Sequence, residues 1–527
     1  PQLYEMIAYY SIFIFISAVL LLLYYQITKN YDYWRKRNVP FLKPSLMFGN
    51  YKEYIFFRKF HPKVTQEICQ KFPDKPYVGV FYGTDPALVV KDPNLVKLVM
   101  VKDFYYFNHR EVSQYLNKEE LTQNMFFNGG DTWKVLRQNL TSLFSSSKMK
   151  NMFYLIESCA NSLENEFNKE LSKQNTIETK SLLMRYTMDC IASCAFGINT
   201  CTLEKNSRTN PFMIMGEKLF DASNFGGFKL VTRAMWPAFF YGIGLRLFTT
   251  DIDKFFKKLL IEVFESREYK ESSRHDFVDQ FLSWKKKKYL SGDSVSNNTE
   301  DKKNVNLEVD DNLLIGQCVL FFAAGFETTS TSSSFLLFEL AKNKKAQNRV
   351  LEEIDDYYKR HNGKIEYECL NETPFLQACL EETLRLYPAM GVLTREVSEN
   401  YTFPTGLRLE KGTRVHIPVY YLHHNPEYFA DPEEFHPERF YGEEKRNIKP
   451  FTYMPFGEGP RICIGLRFAK MPITAGILTL LKNHSVELAE DMPPKVDFQP
   501  RVMVTQANCG INLNNLDYFY FRNLLIL

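Results

Sequence analysis

One cysteine, Cys463, lies in a stiff loop of small residues, PFGEGPRICIG (455–465). A reactive or metal-binding thiolate needs stabilisation that a thiol in an apolar core lacks. Gly457 and Gly459 permit tight turns that aim backbone N–H groups at the sulfur. Gly465 lets the next helix begin beside it, where the helix dipole favours negative charge. The loop predicts a single anionic sulfur ligand, although a lone cysteine is most often a small buried hydrophobe.

A second segment that could do chemistry is FFAAGFETTSTSS (321–333), on a helix that begins near residue 310. Its Ala-Ala-Gly patch (323–325) has no bulky side chain, so a flat ligand could approach the backbone there. Thr328 can hydrogen-bond to the carbonyl oxygen of Ala324 and so open or bend the helix. Together with Glu327 it offers a hydroxyl and a carboxyl that can pass protons. The alternative is an ordinary packing face of small residues.

A helix predicted within residues 371–388 carries charged groups at spacings that allow ion pairs. In NETPFLQACLEETLRLYP (371–388), either Glu381 or Glu382 can pair with Arg385 on the same helix face. A buried guanidinium has five donors to satisfy, and Arg439 of FHPERF is a candidate third member of the cluster. The pattern favours a buried ionic cluster over an ordinary surface pair.

Isolated arginines recur in apolar or turn-rich settings. DTWKVLRQ (131–138) places Trp133 and Arg137 on one helix face, where an indole N–H and a guanidinium can clamp a carboxylate. Arg395 and Arg461 lie in comparable surroundings farther along the chain. The Trp133 and Arg137 pair is a candidate for binding a carboxylate.

The composition restricts the class of protein that positions these residues. The chain has 527 residues, 45% of them hydrophobic, with 45 Phe and 31 Tyr, which can fill a large core and line an apolar cavity. Its 65 basic and 62 acidic residues nearly balance, so no nucleic-acid partner is expected. The 10 cysteines form no C-x-x-C pair, which argues against a zinc site and fits free thiols in a reducing compartment.

The N-terminal segment predicts a membrane anchor over residues 1–29. Met6–Thr28 carries no charge and is long enough to cross a bilayer as one helix. The flank before it is acidic and the flank after it is basic, which places the rest of the chain in the cytosol. A buried core helix is the minor alternative.

After the anchor, a basic and proline-containing segment (30–50) predicts a stiff hinge. Residues 51–513 predict one catalytic domain, mainly α with a minor β region, and residues 514–527 form a tail of unknown role. Trp236–Phe248 is either core or a membrane-surface contact, with neither favoured. The polar stretch 285–306 predicts a solvated loop. Pro472, inside the helix after Cys463, predicts a bent helix.

Taken together, the motifs resemble the cytochrome P-450 superfamily of haem-thiolate monooxygenases. FGEGPRICIG matches its cysteine loop and AGFETT its oxygen-activating helix motif. Glu382 and Arg385 match its E-x-x-R pair, PERF supplies the partner arginine, and the W-x-x-x-R helix is present. The motifs occur in family order over about residues 30–513. YWRKRNVP and VKDFYYFNHR are similar to insect microsomal members that oxidise xenobiotics.

The resemblance implies a triangular helical prism with one N-terminal transmembrane helix, in which Cys463 is the axial ligand of haem b iron and pushes electron density toward O–O cleavage. The residues expected to bind the cofactor are Cys463, Trp133, Arg137, Arg395, Arg461 and Phe456. Those expected to be structural are Glu382, Arg385 and Arg439. Those expected to line the substrate pocket are Phe107, Phe321, Phe322, Ala324, Val392, Leu393 and Val504. Thr328 and Glu327 are expected to be the catalytic residues that deliver protons.

The resemblance also implies an activity and its partners. The protein would insert one oxygen atom of O₂ into a lipophilic substrate, a xenobiotic or an endogenous lipid-like compound. Electrons would come from NADPH through a cytochrome P-450 reductase, with cytochrome b5 as a further partner. Lys134, Arg467 and Lys470 could face an acidic partner, or form a plain solvated face. The location would be the endoplasmic reticulum membrane, with the catalytic domain on the cytosolic side. The alternatives are a haem-thiolate isomerase or dehydratase, and a non-catalytic haem-binding protein.

Overall fold

Helices form most of the regular structure in the computed structural model, which describes residues 2–204, 209–272, 276–296 and 303–517. The α-helices in these residues are α1 (Gln2–Thr28), α2 (Lys52–Ile55), α3 (His61–Gln70), α4 (Pro93–Lys97), α5 (Gly130–Thr141), α6 (Ser146–Leu171), α7 (Thr179–Ile191), α8 (Pro211–Leu219), α9 (Asn224–Met235), α10 (Pro237–Gly242), α11 (Thr250–Ser266), α12 (Phe277–Lys287), α13 (Asp311–Lys342), α14 (Lys344–Arg360), α15 (Cys369–Glu372), α16 (Pro374–Leu386), α17 (Val419–His423) and α18 (Leu466–Leu481).

The strands form small sheets, as expected for a mainly α fold with a minor β region. They are β1 (Tyr77–Tyr82), β2 (Asp85–Val90), β3 (Thr176–Glu178), β4 (Tyr289–Asp293), β5 (Asn304–Glu308), β6 (Leu393–Glu396), β7 (Tyr401–Thr402), β8 (Arg408–Leu409), β9 (Arg414–Ile417), β10 (His484–Leu488) and β11 (Asn512–Asp517). The largest sheet has the order β1-β2-β9-β6, with β2 and β9 parallel and the other pairs antiparallel. The smaller sheets have the order β10-β11-β3, β4-β5 and β7-β8.

Helix α13 crosses the core and positions the small-residue motif. It begins where Asp310 accepts a hydrogen bond from the Leu313 N–H, the N-cap geometry that satisfies an unpaired helix donor. It packs against α7, α16 and α18. A Cβ on Gly325 would lie 2.6 Å from Ile191 Cγ1, so glycine is required here for the close approach of α7.

The proposed hinge is packed onto the largest sheet. Trp34 is buried, and its Nε1 donates to the Val80 carbonyl oxygen at 2.9 Å. The Gly79 N–H donates to the Pro40 carbonyl oxygen at 2.8 Å, and a Cβ on Gly79 would lie 2.5 Å from the Trp34 ring. The segment that follows α1 is therefore rigidly attached to β1.

Helix α1 is 27 residues long, very apolar and without a buried residue, which fits a single transmembrane anchor. Helix α13 is also long and apolar enough to span a membrane, but 72% of its most apolar 18-residue stretch is buried inside the protein. The burial identifies α13 as a core helix. Among the described residues, α1 is therefore the apolar helix that fits an anchor.

One expectation about local structure is wrong, and the bend expected at Pro472 stays a prediction. The stretch 285–306 is not simply a solvated loop, because Lys285 to Lys287 belong to α12 and β4 pairs with β5 as an antiparallel hairpin; residues 297–302 lie outside the described residues. Helix α18 runs without interruption through Pro472, whose carbonyl oxygen accepts a hydrogen bond from the Tyr186 hydroxyl at 3.1 Å. Tertiary packing on both sides of α18 outweighs the local cost of the proline.

The structure also describes the aromatic segment 236–248 and the first part of the proposed tail 514–527. In Trp236–Phe248, α10 buries Phe240 but exposes Phe239, and Ile243 just after it is also exposed, so the segment has one core face and one open face. The proposed tail begins inside β11, which continues to Asp517 and pairs with β10. Residues 518–527 lie outside the described residues.

Candidate active site

The Cys463 loop is closely packed. Its backbone turns at Gly457 (φ 75°) and Gly459 (φ 70°), left-handed conformations that favour glycine. A Cβ on Gly459 would lie 2.0 Å from the Met100 carbonyl oxygen, and the Cys463 N–H donates to the Phe456 carbonyl oxygen at 2.9 Å. The thiol is enclosed by protein, and its accessible surface faces an internal cavity.

The surroundings of the sulfur act on its pKa in both directions. Burial raises the pKa of the Cys463 thiol, while the Gly465 N–H and the positive charges of Arg137 and Arg110 lower it. The net effect is a pKa above the ordinary value, so the protein alone does not ionise this thiol. A metal cation bonded to the sulfur would reverse that balance, because a coordinated thiol loses its proton.

Of the six arginines that line the cavity containing Cys463, four form a cluster: Arg110, Arg137, Arg395 and Arg461. Arg461 Nε donates to the Asn108 carbonyl oxygen at 2.8 Å, and its guanidinium lies 4.7 Å from the centroid of the Trp133 ring.

This arginine cluster lacks negative partners. No carboxylate lies within 4.0 Å of the four guanidinium groups in the part of the chain that the structure describes. The Nε atoms of Arg110 and Arg395 are buried and have no hydrogen-bond acceptor there. Burial, followed by the neighbouring Arg110, lowers the pKa of Arg395 to about 9, and burial lowers the pKa of Arg110 to about 10. Buried cations without partners fit a ligand that brings at least two negative charges, as the two haem propionates do.

Arg110 is a site residue that the sequence reasoning missed. It ends the stretch VKDFYYFNHR, which predicts family membership but has no spacing that ties it to Cys463. In the structure its guanidinium lies 4.1 Å from the centroid of the Phe126 ring, on the cavity wall. The signal available in the sequence was an arginine close to several aromatic residues. Only the fold shows that this arginine lies near the Cys463 sulfur.

Thr328 occupies the cavity wall as its motif predicts. Its Oγ1 donates to the Ala324 carbonyl oxygen at 2.7 Å, and both residues line the cavity. Ala323 and Phe321 complete this part of α13. The hydroxyl oxygen keeps its acceptor capacity toward the cavity, where it can hold a water molecule.

Glu327 is not part of the cavity lining. Lys180 Nζ lies 2.6 Å from its Oε1, and Gln506 Nε2 and Thr331 Oγ1 donate to the same oxygen at 2.7 and 3.2 Å. The side chain is 3% exposed. Adjacent residues on a helix point about 100° apart, so Thr328 faces the cavity while Glu327 faces the start of α7. The expected role of Glu327 in delivering protons stays a prediction, and its carboxylate lies outside the cavity lining.

Four of the seven predicted pocket residues line the cavity: Phe321, Ala324, Leu393 and Val504. Three do not. Phe107 packs against Tyr401 and Phe403 below the largest sheet. Phe322, next to Phe321 on α13, and Val392, just before β6, are buried outside the cavity lining.

The remaining lining was not identified from the sequence. It comes from segments that lie far apart in the chain and includes Phe126, Phe127, Phe144, Phe220, Phe248 and Phe277. The cavity volume is about 390 Å³ and its walls are mainly apolar. The predicted haem-binding residues Trp133 and Phe456 also line it.

The structure selects Glu382 as the partner of Arg385. Glu382 Oε2 lies 2.7 Å from Arg385 Nε and Oε1 lies 2.8 Å from Nη2, with both side chains fully buried. The other three guanidinium donors bind the carbonyl oxygens of residues 423, 432 and 434. Arg439 Nε lies 3.5 Å from Glu382 Oε1, so it joins the cluster at its edge. Glu381 instead pairs with Lys445 and Lys470.

Comparison with known proteins agrees with this site. A family model described as Cytochrome P450 matches residues 39–513. Cytochrome P450 6B2 of Helicoverpa armigera is 33% identical over 500 residues, which cover 95% of this chain and 97% of that protein. Cytochrome P450 6k1 of Blattella germanica is 35% identical over 499 residues, 93% of this chain and 94% of the relative. Cytochrome P450 9e2 of the same insect is 36% identical over 500 residues, 91% of this chain and 92% of the relative. The resemblance seen in the motifs is confirmed, and the chain belongs to the cytochrome P450 family.

Proposed function

We propose that this protein is a membrane-bound haem-thiolate monooxygenase that oxidises lipophilic substrates with electrons from NADPH. The observation that carries the proposal is the pairing, in one cavity, of the Cys463 thiol with four arginines for which the described residues provide no carboxylate partner. An apolar binding space adjoins them. This combination suits a flat, dianionic, metal-containing group beneath an apolar ligand.

The donor set fits haem b, as the family membership implies. Cys463 would bind the iron, and Trp133, Arg137, Arg395 and Arg461, with Arg110, would hold the propionates. Phe456, just before the first glycine turn, would border the ring. When bound, haem supplies the activation of O₂ that places one oxygen atom in the substrate and the other in water.

The chain's own contribution on α13 is to hold a proton donor beside the bound substrate. Thr328 is fixed by its hydrogen bond to Ala324, so its hydroxyl can order a water molecule in the cavity. We assign Glu327 a positioning role, because its carboxylate is held by Lys180 and Gln506 and links α13 to the start of α7. That bridge fixes the rotation of α13 and hence the direction of Thr328.

The proposed location is the endoplasmic reticulum membrane, with the catalytic domain in the cytosol. Helix α1 would be the anchor, and the basic residues after it would remain on the cytosolic side. Exposed Phe225, Phe228, Phe239 and Ile243 are close in sequence and would touch the membrane surface as a second contact.

The proposed redox partners are an NADPH–cytochrome P450 reductase and cytochrome b5. Of the three basic residues considered for an acidic partner, Lys470 is paired with Glu381 and Lys134 binds the Ser294 carbonyl oxygen. Arg467 is exposed and binds only the Ser146 hydroxyl among the described residues, so it is the best candidate for such a contact. Long basic side chains on the Cys463 side would attract an acidic protein at low ionic strength.

The proposal is tested with the purified full chain, haem and a reductase. The expected result is NADPH-dependent oxygenation of lipophilic compounds, with one oxygen of labelled O₂ found in the product. Turnover without NADPH would favour the haem-thiolate isomerase or dehydratase, and haem binding without any turnover would favour a carrier. The intact AGFETT motif favours the monooxygenase.

A further inference from the structure

Two buried cations on α9 line the same cavity as the haem-binding arginines. Lys229 and Arg233 are four residues apart and so lie on one face of the helix. They are 7% and 8% exposed. Lysine and arginine are almost never buried to this degree without a partner. The anions around these two side chains therefore determine whether they are paired within the chain or available to bind a ligand.

Arg233 has no carboxylate partner among the residues that the structure describes. No carboxylate oxygen lies within 4.0 Å of its guanidinium among the described residues, and its Nη2 is buried without an acceptor there. Its Nε donates to the Tyr241 hydroxyl at 2.8 Å, and the guanidinium lies 5.3 Å from the centroid of the Phe127 ring. These contacts orient the arginine but leave most of its donors without an acceptor.

The carboxylate behind Tyr241 does not replace an ionic partner. The Tyr241 hydroxyl donates to Glu119 Oε1 at 2.9 Å, and the N–H groups of Leu247 and Phe248 donate to Glu119 Oε2 at 2.9 and 3.1 Å. Glu119 is thus already held by neutral donors. Burial raises the pKa of Tyr241 to about 12, so the hydroxyl between the two charged groups stays neutral. The chain therefore orients the Arg233 charge without placing an anion directly on it.

Neighbouring cations increase the positive charge of this wall. Lys229 Nζ binds a neutral acceptor, the Leu247 carbonyl oxygen, at 3.3 Å. Arg501 also lines the cavity, and its guanidinium binds the neutral side chains of Asn224 and Gln499. Asp221 is the acidic residue in this lining. Lys218 also lines this wall but is paired with Asp251. The other three cations outnumber Asp221, so this wall of the cavity favours an anion.

We propose that the enzyme binds amphiphilic carboxylates, with the carboxylate on Arg233 beside Lys229 and the apolar part of the molecule extending toward Cys463. This inference rests on the proposed function. The cavity supports it because Phe127, Phe248 and Phe321 supply apolar walls. Arg233 is held by α9, whereas Arg137, Arg395 and Arg461 are held by α5, β6 and the Cys463 loop.

The test compares a fatty acid with its uncharged ester. Binding of dodecanoate and methyl dodecanoate to the haem-loaded full chain is measured by equilibrium dialysis, without NADPH. Wild type should bind dodecanoate about tenfold or more tighter than the ester, because a hydrogen-bonded charge is lost in the ester. Arg233→Gln should raise the Kd for dodecanoate about tenfold or more and leave the Kd for the ester within about twofold.

Two further variants separate recognition from structural damage. Arg246→Gln removes the same charge from an exposed neighbour that does not line the cavity, and it should preserve the acid preference. Arg233→Lys keeps a cation and should fall between wild type and Arg233→Gln. The spectrum of the ferrous carbon monoxide complex reports folding. If Arg233→Gln does not fold, Lys229→Gln is used, with an expected smaller loss of acid preference.

Equal binding of acid and ester by wild type would overturn the proposal, as would an unchanged acid preference in folded Arg233→Gln. The dialysis needs no turnover, so its result is independent of the monooxygenase assignment. Failure of that assignment would instead show as absent NADPH-dependent oxygenation while selective binding of dodecanoate persists.

Discussion

The Thr328 hydroxyl donates to the Ala324 carbonyl oxygen at 2.7 Å, within a helix that continues without interruption from Asp311 to Lys342. The bond fixes the hydroxyl on the cavity wall, while Glu327 on the next face is held by Lys180. The two adjacent residues thus have different surroundings. We expect substitutions at them to have different consequences.

Thr328→Ala should lower the fraction of NADPH that ends in oxygenated product and raise hydrogen peroxide release, since the ordered water loses its hydroxyl partner. Thr328→Ser should retain more coupling because it keeps the hydroxyl. The measurement is product and peroxide formed per NADPH, with the haem spectrum as a control for folding. Equal coupling in wild type and Thr328→Ala would show that protons arrive by another route.

Cys463→Ala should abolish the long-wavelength Soret band of the ferrous carbon monoxide complex, because the iron would lose its thiolate ligand. Cys509→Ala is the control: this exposed thiol does not line the cavity, and its removal should leave the band unchanged. A normal band in Cys463→Ala would refute the ligand assignment.

Glu382→Gln should destabilise the fold by about 3–5 kcal/mol, because it leaves the fully buried Arg385 without its ionic partner. Glu381→Gln removes the charge of the adjacent glutamate, whose lysine partners are partly exposed. It should lower the free energy of unfolding by less than about 1 kcal/mol. Unfolding in guanidinium chloride, followed by the absorbance of bound haem, measures both. Similar losses in the two variants would contradict the buried-pair interpretation.

The free energy of unfolding should fall as the pH is lowered from about 7 to 5. Burial lowers the pKa of His61 and of His424 to about 3 each, and it lowers that of His423 well below its ordinary value. In the unfolded chain these imidazoles take up protons near pH 6.5. Between that pH and about 3 the unfolded state binds more protons, so acid favours unfolding.

The check is the thermal unfolding midpoint of the solubilised full chain at pH 7.5, 6.5 and 5.5. His424→Gln should make this dependence shallower, since it removes one buried titrating ring. A midpoint that stays constant or rises on acidification would exclude neutral buried histidines as a main source of pH sensitivity.

Deleting residues 1–28 should weaken membrane association without removing haem binding, because α1 packs on nothing in the described structure. Residual binding should fall further in the truncated Phe239→Ser variant, which removes an exposed aromatic of the proposed second contact. Ile261→Ser, an exposed apolar residue on α11, is the control. Flotation with microsomal lipid vesicles measures each; equal residual binding in both variants would exclude the second contact.

Orientation is tested separately in intact microsomes that contain the full chain. Added protease should digest the catalytic domain, since the basic flank of α1 holds that domain on the cytosolic side. Protection of the domain until the vesicles are opened by detergent would show the reverse topology.

Local features of the site could be read from the sequence because they depend on residues a few positions apart. The glycine turns around Cys463, the Thr328–Ala324 hydrogen bond and the pairing of Arg385 with a glutamate follow from backbone geometry within one loop or helix turn. The apolar α1 and the hairpin of β1 and β2 are equally local. Such interactions need no knowledge of the fold.

Only the tertiary structure decided which residues distant in sequence a side chain contacts. Glu381 and Glu382 are equivalent by spacing, but only Glu382 faces the backbone carbonyl groups that satisfy its partner. Arg110 joins the haem-binding arginines because its loop packs near residues over 300 positions away. Phe322 and Glu327 leave the cavity because helix rotation is set by packing against α7 and α18. Long-range contacts are determined by the whole folded chain, so short spacings along the sequence do not specify them.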